Sequence, residues 1–205
     1  GGVRIAKKEY VTQLRKLCDE KNLLLIFDEV QTGIGRTGEM FAFKHYGVTP
    51  DIMLLAKSLG GGLPIGAMVV KKELGDTLKP GMHASTFGGS PLICKAGLGV
   101  FQAIEKEKML KNAKLMGEYA SKKLAQLKEK FSCIKDVRNL GLMIGIELNI
   151  EGKPVVDECF KNLLNINCTQ GNILRIMPAL NVTKKQMDKA FSIIAKSIEK
   201  VTAKS

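Results

Sequence analysis

Apolar and polar positions along the chain predict alternating helices and strands. The segment from about Ala6 to Lys21 carries apolar residues at helical spacing, which indicates an amphipathic helix. The run Leu23–Phe27 is continuously apolar and ends at Asp28, as expected for a strand buried on both faces. Two further short strands, at Ile52–Leu55 and Ile65–Val70, precede a long helical stretch that starts at Pro91.

The pattern changes around residues 131–138. Beyond this stretch it predicts strands at Leu142–Leu148 and Ile173–Met177, with a helix from about Val155 to Asn165 between them. A final helix begins at Thr183, which stands three residues before Gln186 in capping-box spacing. We therefore expect an α/β protein, with a parallel α/β layer followed by a smaller α+β unit and a boundary between about residues 105 and 137.

Composition places the chain among globular proteins. Of its 205 residues, 45% are hydrophobic and 25% are charged, which excludes a disordered or collagen-like chain. The longest apolar runs fall far short of the roughly 20 residues that span a bilayer, so we expect no membrane segment. The first residues, Gly1–Arg4, carry no initiator Met, signal core or transit pattern, and we expect the chain to start mid-gene.

The net charge of +12 raises the alternative of a nucleic-acid-binding module. The excess is spread out, because the stretch from Lys106 to Lys130 interleaves its lysines with apolar residues at helical spacing, which favours a solvated helix face. The 5 cysteines are an odd number without a CxxC pair or a histidine cluster. They indicate neither a disulfide framework nor a metal site, and they fit a reducing cytoplasm.

Asp28 and Lys57 each follow a predicted strand. The carboxyl ends of neighbouring parallel strands border one crevice, so both side chains are expected there. Taken singly, an Asp in this place is most often a turn or cap residue, and a Lys is most often a surface residue. Together they match what pyridoxal phosphate (PLP) requires: an amine that forms a Schiff base with the cofactor aldehyde, and a carboxylate that keeps the ring nitrogen protonated.

Three segments carry a family resemblance: Leu25–Gly38, Pro50–Ile52 and Ala56–Ala67. Their order, and the interval of 57 − 28 = 29 positions from Asp28 to Lys57, agree with the class III (ornithine-type) PLP-dependent aminotransferases, which the chain resembles over nearly its whole length. The resemblance implies fold type I of the PLP-dependent transferases, an aminotransferase activity, and pyridoxal 5'-phosphate as cofactor. It also implies that residues 1–110 are the C-terminal part of the PLP-binding large domain, with a mostly parallel sheet, and that residues 111–205 are a small C-terminal α+β domain.

The resemblance also implies roles for single residues of these motifs. Asp28 and Lys57 are the expected catalytic pair, with Asp28 on the ring nitrogen and Lys57 holding the cofactor covalently. Glu29 belongs to the same cofactor-binding motif, although its side chain is expected to point away from Asp28, since successive strand residues face opposite sides. By the same resemblance, Val30 packs against the ring and Gln31 hydrogen-bonds the ring hydroxyl.

His83–Leu92 resembles the family segment that reaches into the active site of a neighbouring subunit. By that resemblance Thr86 binds the cofactor phosphate, Ser85 approaches the substrate, and the protein is a homodimer with shared active sites. The alternative is a Ser/Thr-rich loop that caps the helix after Pro91. Family members usually carry Asn where this chain has Ser90.

Ile173–Asn181 resembles the family segment whose Arg binds the substrate carboxylate, which assigns that role to Arg175. A guanidinium suits this role because its planar fork pairs with both carboxylate oxygens. The alternative for Arg175 is a structural salt bridge. Arg138 lies in a further matching segment, with Asn139 where the family commonly has Gly, and it receives no catalytic role.

The motif wording most resembles the family members that transfer the δ-amino group of N2-acetylornithine to 2-oxoglutarate, in arginine biosynthesis. Enzymes acting on ornithine, succinylornithine or 4-aminobutyrate are the alternatives. A PLP-fold subunit without catalysis is a further alternative, and the joint presence of the site residues argues against it. We expect a cytoplasmic enzyme with small-molecule substrates that binds neither nucleic acid nor membranes.

Gly1–Val3 resembles the end of an element that lies mid-domain in this family. The family's N-terminal half carries the main phosphate-binding loop, the aromatic residue stacked on the ring and a second substrate Arg. We therefore expect the chain to be the C-terminal half of an enzyme, and to be inactive or nearly so by itself. Without the strands of the other half, apolar sheet surface is expected to stay uncovered.

Overall fold

The structure, a computed structural model, describes residues 1–203 and divides the chain into two compact units. One unit is Ala6–Leu110, and the other joins Gly1–Ile5 to the chain from Lys111 onward. The identification of these units with a large and a small domain stays a prediction.

The elements of the first unit are α1 (Lys8–Glu20), β1 (Ile26–Asp28), β2 (Ile52–Leu55), β3 (Ala67–Val70) and α2 (Pro91–Lys106). The strands form a mixed sheet in the order β1-β2-β3. β1 and β2 run parallel, whereas β2 and β3 are antiparallel. The short stretch between β2 and β3 has no helix long enough for the crossover that a parallel neighbour requires, which explains the reversal.

β1 is buried on one face only, so the expectation of burial on both faces was wrong. Leu25 packs with Val11 and Cys18 of α1 in a small core, whereas Ile26 is 52% exposed. Met68 and Val69 of β3 are also exposed. The described residues thus cover the side of this sheet that α1 packs against and leave apolar side chains of β1 and β3 exposed.

The long helical stretch after Pro91 is two helices rather than one. α2 ends at Lys106, and α3 (Met109–Lys130) begins after a break at Lys108, whose φ is 51°. A left-handed residue stops the hydrogen-bond ladder of a right-handed helix. The apolar periodicity continues across the break, which is why the sequence pattern did not reveal it.

The second unit contains the strands β4 (Ile134–Leu140), β5 (Met143–Leu148), β6 (Asn167–Thr169) and β7 (Ile173–Ile176) and the helices α4 (Lys153–Lys161) and α5 (Lys184–Thr202). The strands form an antiparallel sheet in the order β4-β5-β7-β6. The sequence did not predict β4, because it is rich in polar residues, or β6, because it has only three residues. Thr183 and Gln186 form the predicted capping box at the start of α5.

The core of the second unit lies between its sheet and its helices. Ile144, Ile146 and Leu148 of β5 are fully buried, together with Ile194 and Ile198 of α5. Burying side chains of this size stabilises the unit by about 1.5–3 kcal/mol each, relative to full exposure. This core is much larger than the one beside β1.

Helix α3 approaches the β4–β5 turn so closely that only glycine fits at the contact. A Cβ on Gly117 would lie 2.7 Å from the Cα of Gly141. Asn139 bridges the two backbones, because its Nδ2 donates to Gly117 O at 3.0 Å and to Gly141 O at 3.1 Å. The Asn that departs from the usual family residue thus stabilises this contact.

Arg138 fixes the first residues of the chain to the second unit. Its Nε donates to the carbonyl oxygens of Gly2 and Val3 at 3.0 and 2.9 Å, and its Nη1 contacts Glu147 at 2.9 Å. Val3 also packs against Gly145, where a Cβ would come within 3.0 Å of it. These contacts explain why Gly1–Ile5 belongs to the second unit.

Within residues 1–203, no helix has both the length and the apolar character that a membrane span requires.

Candidate active site

Asp28 and Lys57 lie at the same end of two adjacent strands. Asp28 is the last residue of β1 and is paired in register with Leu54 of the parallel strand β2. Lys57 follows three residues later, directly beyond the end of β2. The two side chains therefore leave the sheet at its carboxyl edge, where ligands bind in open α/β sheets.

Asp28 is exposed and has one oxygen available. Its Oδ1 accepts a hydrogen bond from the backbone N–H of Val30 at 2.9 Å, which forms a local turn after the strand. Among the residues that the structure describes, none donates to its Oδ2. A carboxylate with one oxygen available can accept a hydrogen bond from a protonated nitrogen of a ligand.

Glu29, the next residue, has the opposite surroundings. Its side chain is 2% exposed and accepts hydrogen bonds from Thr32 and from the backbone N–H groups of Ala42 and Phe43. These contacts lie inside the protein. The assignment of Glu29 to the cofactor-binding motif stays a prediction.

Lys57 opens a 3₁₀ turn, Lys57–Gly60, with a backbone φ of 48°. This left-handed conformation costs about 1–2 kcal/mol for a residue with a Cβ. The side chain is exposed, and within residues 1–203 its amine forms no ion pair. The chain therefore presents an amine with no counter-ion at the end of β2, in a strained backbone conformation typical of functional sites.

Lys57 borders a cavity of about 1040 Å³. Ser85 lines the same cavity, and its Oγ accepts a hydrogen bond from Gly88 N at 3.1 Å. Thr86 is exposed in the adjoining loop and does not line the cavity. The remaining walls come from residues 62–66 and from His83, Phe87, Gly88, Gly89 and Ile93.

The glycines after Lys57 are required by close packing. A Cβ on Gly60 would lie 2.8 Å from Ile65, and one on Gly61 would lie 2.9 Å from Val100. Gly61 also has a φ of 59°. The Gly-rich turn therefore lets the chain pass close to the cavity wall and reverse direction after Lys57.

Val30 and Gln31 are half-buried just beyond β1. Arg175 lies on β7 of the second unit, where its Nε donates to Asn167 Oδ1 at 3.1 Å. Two of the predicted site residues, Lys57 and Ser85, share one cavity, and Asp28 joins Lys57 at the sheet edge. The functional roles of all the predicted site residues, including Asp28, Lys57 and Ser85, stay predictions.

Asp51 is a structural residue that sequence reasoning did not single out. Its carboxylate accepts from Leu25 N and forms ion pairs with Arg15 and Lys71, all at 2.7 Å. Burial raises the pKa of Asp51, but these donors outweigh that effect and hold the pKa well below its ordinary value. The signal was the acid placed directly before the apolar run Ile52–Leu55.

The donor set fits PLP. An unpaired amine beside a cavity suits a reactive aldehyde, and a carboxylate with one available oxygen suits a pyridinium nitrogen. Lys57 would hold the cofactor through its aldehyde group, and Asp28 would bind its ring nitrogen. Among residues 1–203, no cluster of three His, Cys, Asp or Glu side chains is placed to bind a metal ion.

Known proteins resemble the chain along nearly its whole length. A family model described as aminotransferase class-III matches residues 1–198. The acetylornithine aminotransferase of Methanocaldococcus jannaschii is 50% identical over 190 residues, which are 92% of this chain and 47% of that protein. The leucine/methionine racemase of Thermococcus litoralis is 40% identical over 210 residues, covering 98% of this chain and 47% of that protein.

A solved structure shows the same fold. The ornithine aminotransferase from Toxoplasma gondii ME49 matches with a TM-score of 0.94 and 36% identity, covering 100% of this chain and 50% of that one. The α/β architecture with mixed sheets is therefore the fold of these enzymes. The chain spans about half the length of the relatives that it matches.

Proposed function

Because the chain belongs to the class III aminotransferase family, we propose that it forms the lysine-bearing part of the active site of a PLP-dependent aminotransferase. The proposed reaction moves the δ-amino group of N2-acetylornithine to 2-oxoglutarate. The observation that carries the proposal is that Lys57 and Asp28 lie at the same edge of one sheet, with no donor to Asp28 Oδ2 and no ion pair at Lys57 within residues 1–203.

Each residue of the pair has a distinct task. PLP, when bound, supplies an electron sink for the electron pair left at the substrate carbon. Lys57 would hold the cofactor covalently through Nζ, with the aldehyde oxygen leaving as water, and its amine would take up and return the proton that leaves the substrate carbon. Asp28 Oδ2 would accept a hydrogen bond from the protonated ring nitrogen and so keep that nitrogen protonated. Lys57 is exposed and borders the cavity into which its amine can reach.

The remaining site residues orient the reactants. Gln31 would bind the ring hydroxyl of the cofactor, and Val30 would pack against its ring. Arg175 binds a substrate carboxylate through its planar guanidinium. Ser85 lies in the Lys57 cavity, which supports its role beside the substrate.

A homodimer with shared sites is also part of the proposal. Phe87 and Leu92, which flank the loop around Thr86, are 78% and 73% exposed. Large apolar side chains exposed within one short segment are typical of interaction surfaces. A second copy covering them would receive the Thr86 hydroxyl at its cofactor phosphate.

The choice of substrate rests on relatives. Several proteins named acetylornithine aminotransferase are 44–50% identical to this chain. Ornithine is a second candidate amino donor, favoured by the name of the Toxoplasma gondii structure. We further propose a cytoplasmic location and little or no activity for the 205-residue chain alone.

The proposal is tested on the protein as its gene encodes it. PLP is added, the protein is reduced with borohydride, and the labelled peptide is identified by mass spectrometry. Label confined to Lys57, and lost in Lys57→Ala, is the expected result. Absent label, or label scattered over surface lysines, contradicts the proposal.

Initial rates then decide between donors. We expect kcat/KM for N2-acetylornithine with 2-oxoglutarate to exceed that for ornithine by about tenfold or more, because a contact made to only one of two substrates discriminates on that scale. Equal or reversed values assign the protein to ornithine. Inversion of leucine or methionine without any amino acceptor indicates racemase chemistry instead.

A further inference from the structure

Glu29 stands between two residues of the proposed cofactor site, yet its side chain points into the protein. Its Oε2 accepts from Thr32 Oγ1 at 2.9 Å and from Ala42 N at 2.8 Å, and its Oε1 accepts from Phe43 N at 2.8 Å. Both carboxylate oxygens are therefore engaged.

These donors connect Glu29 to a distant part of the chain. Ala42 and Phe43 open the 3₁₀ turn Ala42–His45, and the first N–H groups of such a turn have no partner within it. Glu29 supplies those partners from 13 residues earlier. The loop between Val30 and Phe41 is thereby closed onto the end of β1.

The backbone of Glu29 is fixed as well. Its N–H donates to Leu54 O at 2.9 Å, and its carbonyl oxygen accepts from Gly33 N at 2.9 Å. A Cβ on Gly33 would lie only 2.8 Å from that carbonyl oxygen, so the turn requires glycine. Glu29 is thus held on its side chain, its N–H and its carbonyl.

We propose that Glu29 is a positioning residue for the cofactor site: by closing the loop onto β1, it sets the direction in which the side chains of Asp28, at the end of β1, and Gln31, just beyond it, point. The inference rests on the proposed function, since Asp28 and Gln31 contact the cofactor only in that function. Hydrogen bonds to a buried carboxylate are short and strong, which suits them to hold geometry. Asp28 is the adjacent residue and Gln31 the second one on, so few torsions separate them from the anchor.

Three variants test the proposal in the protein as its gene encodes it. Glu29→Gln keeps the size of the side chain but directs an NH2 group at a backbone N–H donor. Thr32→Val removes one donor and leaves the carboxylate, which gives a milder variant if Glu29→Gln does not fold. Glu73→Gln, at an exposed position of the same unit, is the matched control.

The first measurement needs no cofactor. Trypsin cleavage after Arg36 and Lys44 reports whether the loop is closed. We expect cleavage to be about tenfold faster in Glu29→Gln, intermediate in Thr32→Val and unchanged in Glu73→Gln, since cleavage follows the population of the open loop. Unchanged cleavage in both loop variants overturns the proposal.

The second measurement follows bound PLP through its dissociation constant and the pH dependence of its absorption spectrum. We expect the dissociation constant to rise about tenfold in Glu29→Gln, the scale seen when an outer hydrogen-bond partner of a bound group is lost. The spectral midpoint should shift too, because Asp28 no longer meets the ring nitrogen in the same geometry. A lower melting temperature with unchanged PLP affinity and spectrum assigns Glu29 a purely structural role and overturns the proposal.

The two hypotheses fail in different ways. A wild-type protein that binds no PLP overturns the proposed function, and the positioning role falls with it. Wild-type binding at Lys57, with variants that bind and absorb like wild type, overturns the positioning role alone.

Discussion

Asp28 and Glu29 are consecutive carboxylates with opposite surroundings. Asp28 is exposed, and one of its oxygens has no donor within residues 1–203, whereas Glu29 is buried with three donors. The strand end separates them, because successive side chains point to opposite sides. One acid is thus free for ligand chemistry, while the other holds the loop that follows.

Replacing Asp28 with Asn should lower activity without unfolding the protein. The amide still accepts the Val30 N–H but carries no negative charge to hold a proton on the ring nitrogen. We expect kcat to fall by about 10²-fold or more, the scale of a lost proton-holding group. Steady-state rates measure the loss of activity, and a urea unfolding curve measures the free energy of unfolding. A lost activity that is explained by unfolding of the variant would contradict the assignment.

The backbone at Lys57 gives a prediction that is independent of its chemistry. Because its φ is 48°, we expect Lys57→Gly to be more stable than Lys57→Ala by about 1 kcal/mol, since glycine has no Cβ to strain. Both variants lack the amine, so the difference isolates the backbone. Denaturant midpoints that coincide, or that favour the alanine variant, would show that the turn is unstrained.

Two helical glycines should respond to alanine in opposite ways. Gly117→Ala places a Cβ 2.7 Å from Gly141, and we expect it to destabilise the second unit by about 1–3 kcal/mol through overpacking. Gly99 of α2 has open space around it, so Gly99→Ala should stabilise by about 0.5–1 kcal/mol. Thermal unfolding of the two variants checks the contrast, and equal shifts would rule out the close approach.

Acid should weaken the protein through Asp51. Its folded-state pKa is held below its unfolded value by Leu25, Lys71 and Arg15 despite burial, so its stabilising effect is complete above the ordinary carboxyl pKa and is lost as the pH falls through the folded one. We expect the free energy of unfolding to be level above about pH 5 and to decrease toward pH 2.

The variant Asp51→Asn isolates this effect. It should cost about 3 kcal/mol or more at neutral pH, because it leaves Arg15 and Lys71 without their buried partner. The difference in the free energy of unfolding between wild type and Asp51→Asn should become smaller in acid. Asp19→Asn, which removes the exposed partner of Arg15, is the control and should change stability by no more than about 0.5 kcal/mol. A gap that stays constant down to low pH would exclude Asp51 as the titrating group.

The sequence predicted where two candidate site residues lie better than it predicted the contacts that support them. Asp28 and Lys57 followed from strand ends and spacing, and the structure places both at one sheet edge. The acid Asp51 and the left-handed backbone of Lys57 did not follow, because burial of a polar side chain and a positive φ depend on contacts distant in sequence.

Strand prediction had a similar limit. The apolar run before Asp28 indicated burial on both faces, yet Leu23, Leu24 and Ile26 are exposed. Hydrophobicity reports that a residue favours burial, while the neighbouring elements decide whether it is covered. Conversely, β4 was missed because its polar residues, such as Arg138 and Asn139, are satisfied by specific hydrogen bonds.

The contacts of Arg138 with Gly2 and Val3 have a consequence for synthesis on the ribosome. They join residues 135 and 136 positions apart, so Gly2 and Val3 cannot form these hydrogen bonds until the β4–β5 hairpin has emerged. Ala6–Leu110 is continuous in sequence and has no such delay. The order of folding during translation should therefore differ from the order of the residues: Ala6–Leu110 is able to form its unit first, and Gly1–Ile5 join the other unit only after Lys111 and later residues have been made.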